Sequence, residues 1–182
     1  MTQPIRLESL VAAPAASFEQ PFEMLAACHE RMQRMLALLE RLRGHLPEHG
    51  ADPQARQAAR DIMRYFDEAA PQHHRDEELH VFPPLLAAGD TRVTTLVQQL
   101  VWEHAQMEAR WRTARAVLQR IAEGSAQQVA GEDEASLDAF AHLHAGHLRA
   151  EEEIAYPAAL PLVDAVAQRA MGEEMMRRRG VK

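Results

Sequence analysis

The sequence predicts an all-α protein, an up-down-up-down antiparallel four-helix bundle with an extra short C-terminal helix. Three observations carry that expectation. Ala, Leu, Glu, Arg, Gln and Met dominate the chain, and these are good helix formers. Glycine is scarce, at 8 of 182 residues, and no β-branched run reads as a strand. Apolar residues recur at steps of three and four along four long stretches, separated by turn chemistry. Long amphipathic helices with short connections pack as antiparallel neighbours. The length is that of one domain and suffices to bury a core without disulfides.

Residues 1–20, rich in Pro and Ala, read as an irregular lead. A first helix begins after Pro21 and runs to about Arg43, with Leu25, Met32, Leu36 and Leu39 on its stripe. Gly44, Pro47, Gly50 and Pro53 supply a turn. A second helix spans roughly Gln54 to Val81 and carries Ile62, Phe66, His73 and Glu77 on one face. Pro71 predicts a kink or local break inside it, and Pro83–Pro84 with Gly89–Asp90 end it. A third helix, about Thr91 to Glu123, aligns Leu96, Leu100, His104, Met107, Trp111, Leu118 and Ile121. After a turn from Gly124 to Gly131, a fourth runs from about Glu132 to Ala155. Leu137, Phe140, His144, His147, Glu151 and Ile154 share its face. A fifth, shorter helix near 160–178 ends in Arg177–Arg179, cations that suit the negative end of a helix dipole and read as a solvated cap. The chain thus divides into a lead (1–20), a bundle (21–158) and a C-terminal helix packing on or extending from the bundle (159–182).

Composition narrows the function. Lys+Arg is 20 against Asp+Glu 27, a net charge of -7, which repels a phosphate backbone and argues against nucleic acid as partner. No apolar run reaches the length of a membrane span, so no membrane is expected. A single cysteine, Cys28, excludes an intrachain disulfide and a Cys-based zinc site, and suits a reducing cytoplasm. The stretch Val11–Ala16 is too short, too broken by Pro14 and too poor in basic residues to read as a signal peptide.

The chain holds 10 histidines, and an internal repeat organises them. His73, Glu77, Glu78, Phe82 and Pro83 recur as His147, Glu151, Glu152, Tyr156 and Pro157, each pair 74 positions apart. A lone histidine precedes each copy: His29 lies 44 residues before His73, and His104 lies 43 before His147. Residues i and i+4 share a helix face about 5–6 Å apart, so His73 with Glu77, and His147 with Glu151, can each reach one point. Both pairs lie in line with apolar residues and therefore point inward. Two buried carboxylates converging with four imidazoles are costly unless a pair of divalent cations offsets their charge. Imidazole plus carboxylate suits iron, with manganese or zinc ranking behind. Two six-coordinate metals need roughly twelve ligand positions. Four His, two bridging carboxylates and one bridging oxo or hydroxo group leave about two positions for water, dioxygen or nitric oxide.

The repeat leaves one register open. His74 and Glu78 have the same spacing as His73 and Glu77, and only the alignment through the aromatic-Pro pairs favours the latter. His144, one turn before His147, is either a hydrogen-bonding neighbour or extra ligand, or a satisfied core histidine. His80 and His142 read as bystanders.

On these motifs the chain resembles the hemerythrin-like (HHE cation-binding) family over about residues 22–157. The resemblance implies a non-haem di-iron centre, two iron ions with a bridging oxo or hydroxo group, inside a four-helix bundle. It implies the ligands His29, His73, Glu77, His104, His147 and Glu151, with Glu77 and Glu151 bridging. A four-His, two-Glu set most resembles the branch linked to nitric-oxide stress and iron-centre repair. The family's oxygen carriers place a second His four residues after the third-helix His, where Glu108 stands here, and end the last motif in Asp, where Glu151 stands. Glu108 is therefore either a seventh ligand or a surface charge. The expected function is binding of, or reaction with, dioxygen or nitric oxide in sensing or stress response. The alternative is a di-iron redox enzyme or iron donor. No flavin or nicotinamide fingerprint is present, so the chain reads as a metal- and ligand-binding protein rather than a self-sufficient enzyme, and turnover or signalling requires an electron-donor or signalling partner protein.

Overall fold

The computed structural model describes residues 17–181, so most of the expected N-terminal lead lies outside the described residues. Those described form helices and turns, with no strand among them. Helix α1 spans Pro21–His49 and α2 Pro53–Asp76; a π-helical turn, Glu77–Val81, leads into α3, Phe82–Ala88. Helix α4 spans Thr91–Glu123 and α5 Glu132–Ala150. A second π-helical turn, Glu151–Ala155, is followed by α6 (Tyr156–Ala159), a 3-10 turn (Leu160–Leu162) and α7 (Ala165–Arg178). None of these helices is long and apolar enough to cross a membrane.

Local chemistry sets most boundaries. The Asp52, Asp90 and Asp164 carboxylates accept the first free backbone N–H groups of α2, α4 and α7. Gly89 and Gly124, at φ 75° and 79°, stop α3 and α4 in the left-handed conformation that glycine alone adopts without strain. Several expected ends move. Helix α1 does not stop at Arg43 but continues through Gly44 and Pro47 to His49. Leu42 and Leu46 extend its buried stripe, and the proline sits on the exposed side. Exposed Pro71 likewise fails to break α2.

The break falls instead between Glu77 and Val81, and again between Glu151 and Ala155. In each turn the aromatic N–H bonds five residues back, Phe82 to the Glu77 carbonyl and Tyr156 to the Glu151 carbonyl. The following proline, Pro83 or Pro157, lacks an N–H and would clash with the carbonyl four residues earlier. One wide turn relieves that clash, and the chain stays helical past Pro83–Pro84 instead of ending there. Wide single turns of this kind concentrate at functional sites.

Helix α1 packs on α2, α2 on α4, and α4 on α5, while α7 packs on α1. The buried apolar residues form two separate clusters. One runs from Met32 to Leu46 on α1 and includes Ile62, Phe66, Leu118 and Phe140. The other joins Leu25, Phe82, Leu85, Leu100 and Tyr156 to Met171 and Met175 of α7. Between them each long helix buries a polar residue: His29 lies between Leu25 and Met32, Glu77 between Ala70 and Val81, and Glu151 between Leu148 and Ala155. His104 follows Leu100 in the same way on α4. The interior is therefore a polar layer between two apolar ones.

Candidate metal centre

All six sequence-derived ligands reach this layer and are buried: His29, Glu77 and Glu151 at 0% exposure, His73 at 1%, His147 at 2% and His104 at 4%. They separate into two groups. His29, His73, Glu77 and Glu151 bring ligand atoms within 4.8 Å of one another, and so do His74, His104 and His147. Adjacent His73 and His74 both reach the layer, one in each group. His74 lies flat on the His104 ring, with centroids 3.9 Å apart.

The two glutamates face both groups. Glu77 places Oε1 3.4 Å from His73 Nε2 and Oε2 3.4 Å from His104 Nε2. Glu151 places Oε2 3.2 Å from His29 Nε2 and Oε1 3.0 Å from His147 Nε2. Several of these short approaches lack hydrogen-bond geometry. Glu77 Oε2, both Glu151 oxygens and both His73 ring nitrogens are buried without a partner. Buried polar atoms are nearly always satisfied, so five orphans in one layer require an explanation.

Three imidazoles are turned by carboxylates outside the layer. His29 Nδ1 lies 2.9 Å from Glu152, His104 Nδ1 3.0 Å from Glu78, and His147 Nδ1 2.8 Å from Glu103. A carboxylate only accepts, so each Nδ1 carries the proton and Nε2 turns its lone pair inward. His104 Nε2 and His147 Nε2 then stand 3.1 Å apart, two acceptors face to face. A cation or a proton must lie between them. The site otherwise shows how a proton takes that role. Burial opposes charge on His29 and His104, yet the Glu151 and Glu77 carboxylates raise His29 to about 10, and Glu151 and Glu78 raise His104 to about 9. Burial would also raise Glu151, but His104, His147 and His29 hold it well below the usual carboxylate range. Burial, reinforced by the Glu151 charge, pushes Glu77 up to about 7. His73, with burial and no hydrogen-bond partner, is held well below the usual imidazole range and is neutral.

Other residues sort themselves by contact. Tyr156 donates its hydroxyl to Glu77 Oε1 at 2.5 Å and stands 3.0 Å from His29 Nε2. His144 donates Nδ1–H to the Phe140 carbonyl at 3.0 Å and packs against Phe66 and Phe140; it is a satisfied core histidine. Glu108 is exposed and pairs with Arg112, so it is a surface charge. His80, expected as a bystander, pairs with Glu174 of α7 at 2.7 Å. Arg178 and Arg179, expected as a solvated cap, grip the buried carboxylate of Asp76. Sequence reasoning missed Tyr156, Glu103 and Glu152 and weighed His74 and Glu78 only as a rival register. The doubled glutamate was the available signal, because its second member repeats at the same 74-residue distance as the first.

The donor set is five imidazoles and two carboxylates, the ligand chemistry of iron, manganese or zinc. Its orphaned inward atoms fit a pair of cations. Two comparisons with known proteins bear on this chain, and the first agrees with that chemistry. The sequence profile of the Hemerythrin HHE cation binding domain matches residues 20–159. A protein of Haemophilus influenzae, described only as uncharacterised, is 29% identical over 167 residues, covering 92% of this chain and 94% of its own length.

Proposed function

The chain belongs to the hemerythrin HHE cation-binding family, and from that premise we propose that it is a non-haem di-iron protein. It binds or reacts with a small diatomic molecule, dioxygen or nitric oxide, in sensing or stress response. One observation carries the reading: five inward atoms of the layer, Glu77 Oε2, both Glu151 oxygens and both His73 ring nitrogens, are buried without a partner. The packing of the four long helices through short connections supports an up-down-up-down antiparallel bundle around that layer.

When bound, two iron ions would supply adjacent redox-active centres able to take a diatomic ligand. His29 and His73 would hold one ion; His74, His104 and His147 would hold the other. Glu77 and Glu151, each with one oxygen toward either group, would bridge them. The outer carboxylates orient the rings and raise their basicity. Val81, Phe82, Leu100 and Ala155, all buried, keep water from one side of the layer. An electron-donor or signalling protein is the partner this reading requires.

The test is a visible spectrum of anaerobically iron-loaded protein before and after air, with iron counted per chain. About two irons and a new charge-transfer band that reverses on removing oxygen are expected. A band that forms irreversibly would move the function to redox or repair chemistry. No retained iron and no band would overturn the metal assignment.

A further inference from the structure

Helix α7 lies beyond the residues that the family profile matches, yet it grips the strand of helix that presents Glu77. Asp76 is fully buried immediately before Glu77. Its Oδ1 accepts from Arg178 Nη2 at 2.5 Å and Arg179 Nη1 at 3.0 Å, and its Oδ2 accepts from Arg179 Nη2 at 2.5 Å. Arg178 also donates through Nη1 to the Gln72 carbonyl and side-chain oxygens, at 3.2 and 2.9 Å. Glu174 on the same helix fixes Arg178 through its Nε and Nη2 and reaches across to His80. The contacts of α7 therefore bracket Glu77, at Gln72 and Asp76 before it and at His80 inside its wide turn. In the other half of the repeat Ala150 occupies the position of Asp76, so nothing equivalent can hold Glu151.

We propose that Asp76, Arg178 and Arg179 are positioning residues of the metal centre, through which α7 fixes the Glu77 carboxylate for a cation. The Glu77 N–H still bonds back to the His73 carbonyl, and the pattern widens only on its carbonyl side, so Glu77 sits at the last regularly bonded position before the wide turn. A buried carboxylate held by two guanidiniums in forked geometry fixes the backbone one residue away. This inference rests on the reading of Glu77 as a ligand.

The test compares ferrous iron affinity, measured anaerobically against a colorimetric chelator, with melting of the metal-free chain. The variants are Arg178→Gln/Arg179→Gln, Asp76→Asn, their combination, and Leu46→Ala in the opposite apolar cluster as a stability control. A loss of global stability alone leaves the dissociation constant of a still-folded protein unchanged. The double arginine variant should weaken iron binding about tenfold or more, the scale of lost outer support around metal ligands. Asp76→Asn should do the same, and the combination, which leaves no unpaired buried charge, should add nothing further. Leu46→Ala should lower melting and leave the affinity within about twofold of the parent. Unchanged affinity in the clamp variants, or affinity that tracks melting in every variant including Leu46→Ala, would overturn the inference. Failure of the parent chain to bind iron would overturn the underlying reading as well, which separates the two failures.

Discussion

The two halves of the internal repeat build the same polar layer by exchanging supports. Glu152 of the second copy turns His29, the lone histidine ahead of the first, and Glu78 of the first copy turns His104, ahead of the second. The aromatic residues exchange as well: Tyr156 stacks on His29 and Phe82 on His104. Neither half could orient its own lone histidine in this way, so the repeat works only as a pair. Against that symmetry the differences become informative. Tyr156 brings a hydroxyl into the layer where Phe82 brings none. His147 leans on Glu103, whereas His73 has no Nδ1 partner, and the residue matching Glu103 is Cys28. Both sides share the Glu77 and Glu151 oxygens, but His74 gives one side a third imidazole, while the other has two imidazoles with a phenol beside them, which makes the two groups chemically unlike.

The largest effect is expected from the carboxylates. Glu151→Ala leaves three imidazoles without their common partner and should cost about 3–5 kcal/mol in denaturant unfolding of the metal-free protein. Glu77→Ala should cost less than that, because a carboxyl near pKa 7 is only partly charged at neutral pH. Equal losses would show that the halves share the charge evenly. Next comes His74→Ala, which should lower bound iron from about two ions to one per chain by metal analysis and leave the fold intact; retention of both would remove His74 from the ligand set. Metal-free protein should also respond to alkali. The folded-state values of His29 and His104 lie above the ordinary 6.5, so their contribution is complete below that pH and is lost as pH rises through about 9 and 10. Melting followed from pH 6 to 10 checks this. The smallest effect belongs to Tyr156→Phe, which makes the two aromatic positions alike. It should cost about 1.5–3 kcal/mol in the metal-free protein, the scale of one hydrogen bond to a charged group.

The sequence made the helices and the inward-facing residues legible because periodicity reports burial directly. Leu25, His29 and Met32, or Leu100, His104 and Met107, fall on one face at any reasonable helix phase. It misplaced the interruptions because a proline's effect is not set by its presence alone: Pro47 and Pro71 are absorbed into their helices, while Pro83 and Pro157, just as exposed, each follow a wide turn. It treated His73 and His74 as rivals because an ideal helix turns neighbouring residues about 100° apart. In the structure two groups of donor atoms lie side by side, and one of the two rings joins each. The clamp on Asp76 was out of reach because it joins residues roughly a hundred positions apart with no shared pattern.

The division of the interior by a polar layer also bears on how the molecule opens. Each apolar cluster is continuous within itself, and the two are joined chiefly through side chains that hold protons or cations. Filled, the layer couples the ends, and backbone amides on both sides should share one protection against solvent exchange. Without cations, the end formed by Leu25, Phe82, Leu85 and the methionines of α7 should exchange as a separate unit, opening while the end around Ile62 and Phe140 stays closed.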